Sequence, residues 1–150
     1  MTLLAVDNVV KEYSRGLFRR QLTFRLEAAF TVERPDGFKF KVKIMLPPDY
    51  QAGTRLPALF WFYPREFSDQ DSYDRPDRTF NKNTFPNFGS RSMEFFTRLG
   101  YAVVEPDSPI VGPQGAMNNN YVHDLRNNLA AVIDELDKRG LADRTRLAIG

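Results

Sequence analysis

The sequence contains no cysteine and a single histidine, His123. The first absence removes disulfides, thiolate nucleophiles and thiolate metal sites. The two together leave no ligand set for a transition metal. A dominant charge is also missing: 21 Lys and Arg face 19 Asp and Glu, so the net charge is only +2. The cationic residues form two small clusters, Arg15/Arg19/Arg20/Arg25 and Lys39/Lys41/Lys43. In the second cluster Lys alternates with Phe and Val at period two, which is a strand with one wet face. Nucleic-acid binding needs a continuous basic face and is not expected. No apolar run approaches the roughly 18 residues of a membrane span. Residues 1–10 lack a basic leader followed by an apolar stretch, so no secretion signal is expected. A chain without cysteine suits oxidising and reducing compartments alike, so its location stays open.

What is present suits a soluble α/β enzyme. Residues 22–32 (LTFRLEAAFTV) place Phe24, Leu26 and Phe30 on one face of a strand. Arg34-Pro35-Asp36-Gly37 is a turn: Pro presets φ and Gly supplies positive φ. Residues 38–46 alternate as a second strand, giving a hairpin. Residues 57–63 (PALFWFY) form a continuous apolar run, expected as a strand buried on both faces. The stretch 64–90 has no clear period, and a loop of that length is usually functional or disordered. Residues 91–99 read as a helix stopped by Gly100, 101–104 as a buried strand, and 105–120 as a second polar loop. The spacing of Val122, Leu125, Leu129, Val132, Ile133 and Leu136 predicts a helix over 121–139, capped by Asn120 and ended by Gly140. After a polar turn over 140–145, Arg146-Leu147-Ala148-Ile149-Gly150 reads as a buried strand closing on glycine. A hairpin followed by alternating strands and helices predicts a mostly parallel sheet with helices on both faces.

A helix, a turn, a buried strand and a glycine resemble the approach to the nucleophile elbow of an α/β-hydrolase. In open α/β sheets the site lies beyond the carboxyl ends of the strands, which here points to 63–90 and 105–120. Tyr63 sits at that junction, where its phenol could donate to a developing oxyanion. A strand-end tyrosine with a packed ring and a wet hydroxyl is the plainer reading of the residue alone. His123 falls in the first turn of the last helix, one residue off the apolar stripe, and reads as a surface histidine. Asp69, Asp71, Asp74 and Asp77 are interleaved with Arg75 and Arg78, which suits a solvated loop better than a calcium site. The Gly112/Pro113/Gly115 spacing does not meet the dinucleotide fingerprint, so no cofactor is expected.

The strings IMLPPDY from residue 44, LPALFWFYPREF (56–67), RLGYAVVEPDSPIVG (98–112), NNNYVHDL (118–125) and RGLADRTRLAIG (139–150) together resemble the catalytic domain of the prolyl oligopeptidase family of serine peptidases. The FWFYP and SPIVG segments resemble its glutamyl endopeptidase branch most. The resemblance implies an α/β-hydrolase fold, of which this is the N-terminal half, cut before the nucleophile elbow. It implies residues 22–150 as a partial hydrolase domain and 1–21 as an extension or the end of a β-propeller. It also implies a Ser-Asp-His triad beyond Gly150, a peptide or protein substrate, and Tyr63 as the oxyanion donor. Pro64-Arg65 departs from the glycine-rich pair found after this tyrosine in many members, though the glutamyl endopeptidase branch also has Pro there. An esterase on the same fold, or a non-catalytic α/β interaction module, stands as the alternative.

Overall fold

The computed structural model describes residues 26–75 and 92–150. The expected segment 1–21, Phe24, Asp77 and Arg78 lie outside the described residues. In chain order the elements are β1 (Leu26–Glu33), β2 (Lys39–Leu46), β3 (Leu56–Phe60), β4 (Arg65–Phe67), α1 (Gln70–Asp74), a 3-10 helix Met93–Leu99, β5 (Ala102–Pro106), β6 (Pro109–Val111), a 3-10 helix Met117–Asn120, α2 (Tyr121–Lys138) and β7 (Ala142–Ile149). Five strands form one sheet in the order β1-β2-β5-β3-β7, and β4 pairs with β6 in a small second sheet. β2 is antiparallel to both its neighbours, while β3 is parallel to β5 and to β7. β2 is therefore the one reversed strand, and the carboxyl ends of β1, β3, β5 and β7 share one side. The mixed, mostly parallel α/β sheet is as the sequence predicts.

The hairpin follows its turn chemistry. The Gly37 N–H donates to the Arg34 carbonyl at 2.9 Å, the Arg34 N–H to the Phe38 carbonyl at 2.9 Å, and Gly37 takes φ 86°. A side chain there would be strained, so glycine closes the turn. From it β2 runs with Phe40, Val42 and Ile44 fully buried. These residues meet Val32, Ala58, Phe60, Ala102, Val104, Val132 and Leu136 in the main core, which puts α2 over this face. Full burial of each such side chain contributes about 1.5–3 kcal/mol. Met45, Leu59 and Val103 are buried outside that cluster. The 3-10 helix Met93–Leu99 touches β2 and β5, and Gly100 at φ 86° stops it where the sequence places a stop.

Three expectations need correction. The apolar run 57–63 is a strand only as far as Phe60; Trp61 is 45% and Tyr63 85% exposed. One more ladder bond follows, from the Trp61 N–H to the Val104 carbonyl at 2.9 Å. Beyond it Pro64 has no N–H and disfavours helical backbone at Tyr63, so the ladder stops.

The closing strand is not buried. β7 lies at the sheet edge, only Ala142 of it is buried, and Ile149 is 65% exposed. The polar turn expected over 140–145 is largely a bulge inside that strand: the register jumps from Leu56↔Ala142 to Ala58↔Leu147. Asp143 holds the bulge by accepting from the Thr145 N–H (2.9 Å), the Thr145 hydroxyl (2.7 Å) and Arg146 Nε (2.7 Å).

The third correction concerns α2. Its buried line is Asp124, Asn128, Val132 and Leu136, whereas Val122 is 70% exposed. Asn120 makes no side-chain cap; its Nδ2 donates to the Val111 carbonyl at 3.1 Å. The far end behaves as expected. Gly140 at φ 70° lets its own N–H reach the Asp137 carbonyl and the Leu141 N–H reach the Leu136 carbonyl, both at 2.9 Å. That pair of bonds is the Schellman closure of a helix. Both polar loops also carry short ordered pieces. β4 and α1 lie in the first, β6 and the 3-10 helix Met117–Asn120 in the second.

Candidate functional site

The carboxyl ends of β3, β5 and β7 converge on 61–64, 107–108 and Gly150. Ladder bonds tie two of these segments to the sheet: the Gly150 N–H donates to the Phe60 carbonyl of β3 at 3.0 Å, and the Asp107 N–H to the Lys41 carbonyl of β2 at 3.0 Å. A Cβ on Gly150 would stand 3.3 Å from Trp61 Cε3, so the end of β7 passes close over the indole. Tyr63 follows on the same rim. At 85% exposure its ring is not packed against the described residues.

Behind the rim, Ser108 has φ 48° and is fully buried, and its hydroxyl finds no partner among the described residues. Left-handed backbone on a non-glycine residue costs of order 1–3 kcal/mol and clusters at functional sites. The neighbouring Asp107 Oδ2 accepts from the Tyr73 hydroxyl at 2.6 Å, and that hydroxyl accepts from the Lys41 N–H at 2.8 Å. Burial, reinforced by the bond to Asp107, pushes the Tyr73 phenol well above its ordinary value. The Tyr73 ring is held edge-on by Phe38 at 5.6 Å and Phe67 at 5.1 Å. Lys41, Arg65, Phe67, Tyr73 and Asp107 help line a cleft of about 370 Å³ here.

A buried polar cluster supports the rim from the α2 side. The Arg34 side chain is 2% exposed. It pairs with Asp36, approaches Asp124 Oδ1 at 3.5 Å, and donates to Asn128 Oδ1 at 3.2 Å and the Pro109 carbonyl at 3.4 Å. Burial works to raise the Asp36 carboxyl, but hydrogen bonds from Arg34 and the Phe38 N–H outweigh it and hold it below the usual carboxylate value. Asp124 Oδ2 accepts from the Val111 N–H at 2.7 Å, and Asn128 Nδ2 donates to the Pro109 carbonyl at 2.8 Å.

His123 is a surface residue, its side chain 74% exposed, with Nδ1 3.4 Å from Asp124 Oδ1. Asp69 accepts from the Ser72 N–H at 2.7 Å as the N-cap of α1, and Asp74 accepts from Gln70. Among the described residues no group of three or more His, Cys, Asp or Glu is placed to hold a metal ion. Among them, too, no helix is long and apolar enough to cross a membrane. The sequence reading missed Arg34, Ser108, Tyr73, Asp124 and Asn128. One signal existed: Asp124 and Asn128 continue the four-residue spacing of Val132 and Leu136.

A sheet ordered β1-β2-β5-β3-β7 with only β2 reversed, and exposed side chains beyond its carboxyl ends, is the N-terminal part of an α/β-hydrolase sheet. No protein-family profile matches the chain. It is 33% identical over 122 residues to the Arabidopsis thaliana protein named "Probable glutamyl endopeptidase, chloroplastic", covering 79% of this chain and 12% of that protein. It is 30% identical over 134 residues to the Oryza sativa subsp. japonica protein of the same name, covering 87% and 14%. The chain thus spans about an eighth of the length of these relatives. Among solved structures, the AtxE2 isopeptidase superposes with TM-score 0.56 at 23% identity over 83% of this chain and 19% of its own. A post-proline cleaving enzyme from Rickettsia typhi superposes with TM-score 0.58 at 14% identity over 90% and 18%. At these identities the structures speak for the fold. The sequence relatives, on the same fold, support the resemblance to the prolyl oligopeptidase family that its motifs carry.

Proposed function

We propose that residues 22–150 are the N-terminal part of the hydrolase domain of a serine peptidase, and that residues 1–21 precede it as an extension or a propeller end. In this reading the Ser-Asp-His triad lies beyond Gly150. The serine attacks the peptide carbonyl, the histidine takes its proton and returns it to the leaving amine, and the acyl-enzyme is then hydrolysed. The carbonyl oxygen gains negative charge at each tetrahedral intermediate. The Tyr63 hydroxyl donates a hydrogen bond to it there, where a fixed donor stabilises the transition state more than the bound substrate. The observation that carries the reading is Tyr63 itself: 85% exposed, on the carboxyl-end rim that the end of β7 also reaches. The match to two glutamyl endopeptidase relatives supports a peptide rather than a simple ester as substrate.

The 150-residue chain alone is inert in this reading. Ser68, Ser72, Ser92 and Ser108 have no hydrogen bond to His123, the sole imidazole, and an unactivated hydroxyl is a weak nucleophile. A fluorophosphonate should leave the fragment unlabelled and label the full-length parent protein at a serine downstream of Gly150. In that protein Tyr63→Phe should lower kcat by about 10- to 1000-fold with KM little changed. An unchanged kcat would remove Tyr63 from the oxyanion site. Labelling of the fragment would refute the placement of the triad.

A further inference from the structure

β6 is an unusual strand because it is saturated from two different sources. Its one edge is ordinary: it pairs in parallel with β4, and the Gly112 N–H donates to the Phe67 carbonyl at 3.2 Å. The groups on the other edge alternate in the same way, but side chains satisfy them. The Pro109 carbonyl takes Asn128 Nδ2 (2.8 Å) and Arg34 Nη1 (3.4 Å), the Val111 N–H gives to Asp124 Oδ2 (2.7 Å), and the Val111 carbonyl takes Asn120 Nδ2 (3.1 Å). Asn120, the residue that leads into α2, and Asp124 and Asn128 on it follow at four-residue spacing, so one line at the start of the helix plays the part of a neighbouring strand. Arg34 ties that line to the hairpin turn.

A packed apolar face would stabilise β6 as well but would leave it free to slide. Satisfied buried hydrogen bonds fix one register, because any shift leaves a buried donor or acceptor unpaired. The consequence passes through β6 to β4, whose Arg65 stands opposite Pro109. Only Pro64 separates Arg65 from Tyr63. We infer that Asp124, Asn128, Asn120 and Arg34 are positioning residues for the Tyr63 segment: through β6 and β4 they set where the Tyr63 hydroxyl stands. The catalytic part of this inference rests on the proposed oxyanion role of Tyr63; the mechanical part does not.

The test uses the full-length parent protein and two readouts. Amide hydrogen exchange is followed in peptides covering 61–67 and 109–112, in Asp124→Asn and in the milder surface variant Asn120→Ala. Leu129→Ala serves as a control, since it loosens the core packing of the same helix at a residue that supplies none of these hydrogen bonds to β6. Asp124→Asn should speed exchange in both peptides about 10-fold or more while α2 stays protected, and Asn120→Ala should do so to a smaller degree. Leu129→Ala should show no such local pattern. Kinetics then link the device to Tyr63. Asp124→Asn should lower kcat about 10- to 100-fold at near-constant KM. Added to Tyr63→Phe, it should lower kcat no further, since both act on one donor. Unchanged exchange in both variants, or losses that multiply in the double variant, would overturn the inference. A Tyr63→Phe enzyme with full kcat would instead overturn the oxyanion assignment, and the exchange data would still decide the mechanical part.

Discussion

The two halves of α2 carry the same geometry and opposite chemistry. Asp124, Asn128, Val132 and Leu136 stand on one line and are all buried. The C-terminal pair packs into the main core and can be satisfied by any apolar surface of the right shape. The N-terminal pair can be satisfied only by groups at set positions: a guanidinium, a backbone N–H and a backbone carbonyl. The first pair supplies stability that tolerates repacking. The second supplies little net stability for its burial but is severe when broken, which suits a region whose position matters more than its strength. The difference follows the sheet: the polar half faces the strand next to the candidate site, and the apolar half faces the sheet proper.

Two substitutions test that contrast most strongly. Asp124→Ala should cost about 1–3 kcal/mol, because it leaves the Val111 N–H without its acceptor and removes one of the two carboxylates beside the buried Arg34. Leu136→Ala should cost about 2–5 kcal/mol, from lost burial and the cavity left behind. Denaturant unfolding of the longest soluble form carrying this segment measures both. The halves separate on rescue. Leu136→Met should recover most of the loss in its half, whereas Asp124→Leu should not, since an apolar side chain returns volume but no acceptor. Recovery in Asp124→Leu would mean the polar half is held by packing after all.

The same contrast explains how far the sequence could be read. The hairpin, the succession of the longer elements along the chain and the limits of α2 follow from patterns with a fixed period: Phe40, Val42 and Ile44 at period two, and Val132 and Leu136 at helical spacing. Turns at Gly37, Gly100 and Gly140 were legible because only glycine takes positive φ easily. The N-terminal half of α2 misled, since period analysis counts apolar residues and the buried ones there are Asp and Asn. β7 is exposed although its Leu and Ile suggest burial, because burial depends on what stands beside a strand, and among the described residues β7 pairs only with β3. β4, β6 and α1 are too short for any period to register. The place of Tyr63 just beyond a strand end was reachable from the apolar run before it, whereas the strain at Ser108 was not, because backbone strain has no sequence signature at a serine.

Ser108 gives the next effect in size. Its left-handed φ and its buried hydroxyl, without a partner among the described residues, both oppose folding. Ser108→Gly removes both and should raise stability by about 1–2 kcal/mol, while Ser108→Ala removes only the hydroxyl and should gain less. Thermal melts of the two variants separate strain from desolvation. A loss of stability in Ser108→Ala would mean the hydroxyl has a partner in the native protein. If the strain aims the 107–109 turn at the site, Ser108→Gly should lower kcat as it raises Tm.

The smallest effect sets a solvated carboxylate against the buried Asp124. Asp143 pins the β7 bulge with bonds from the Thr145 hydroxyl, the Thr145 N–H and Arg146, and these pull its carboxyl down to about 2. All three bonds favour the ionised form. The unfolded chain holds the same group near the ordinary aspartate value of about 3.9. A folded value below the unfolded one means that the unfolded state binds more protons in between, so stability rises with pH there. The contribution is therefore fully present above about pH 4 and drains away as pH falls toward 2. Solvent screens a group this exposed, so the change should be slight. Asp143→Asn should melt a little lower than the native sequence at pH 6, and the two melting temperatures should converge between pH 4 and pH 2. A difference that persists undiminished at pH 2 would show that the bulge is held by hydrogen bonds an asparagine cannot replace, and not by charge.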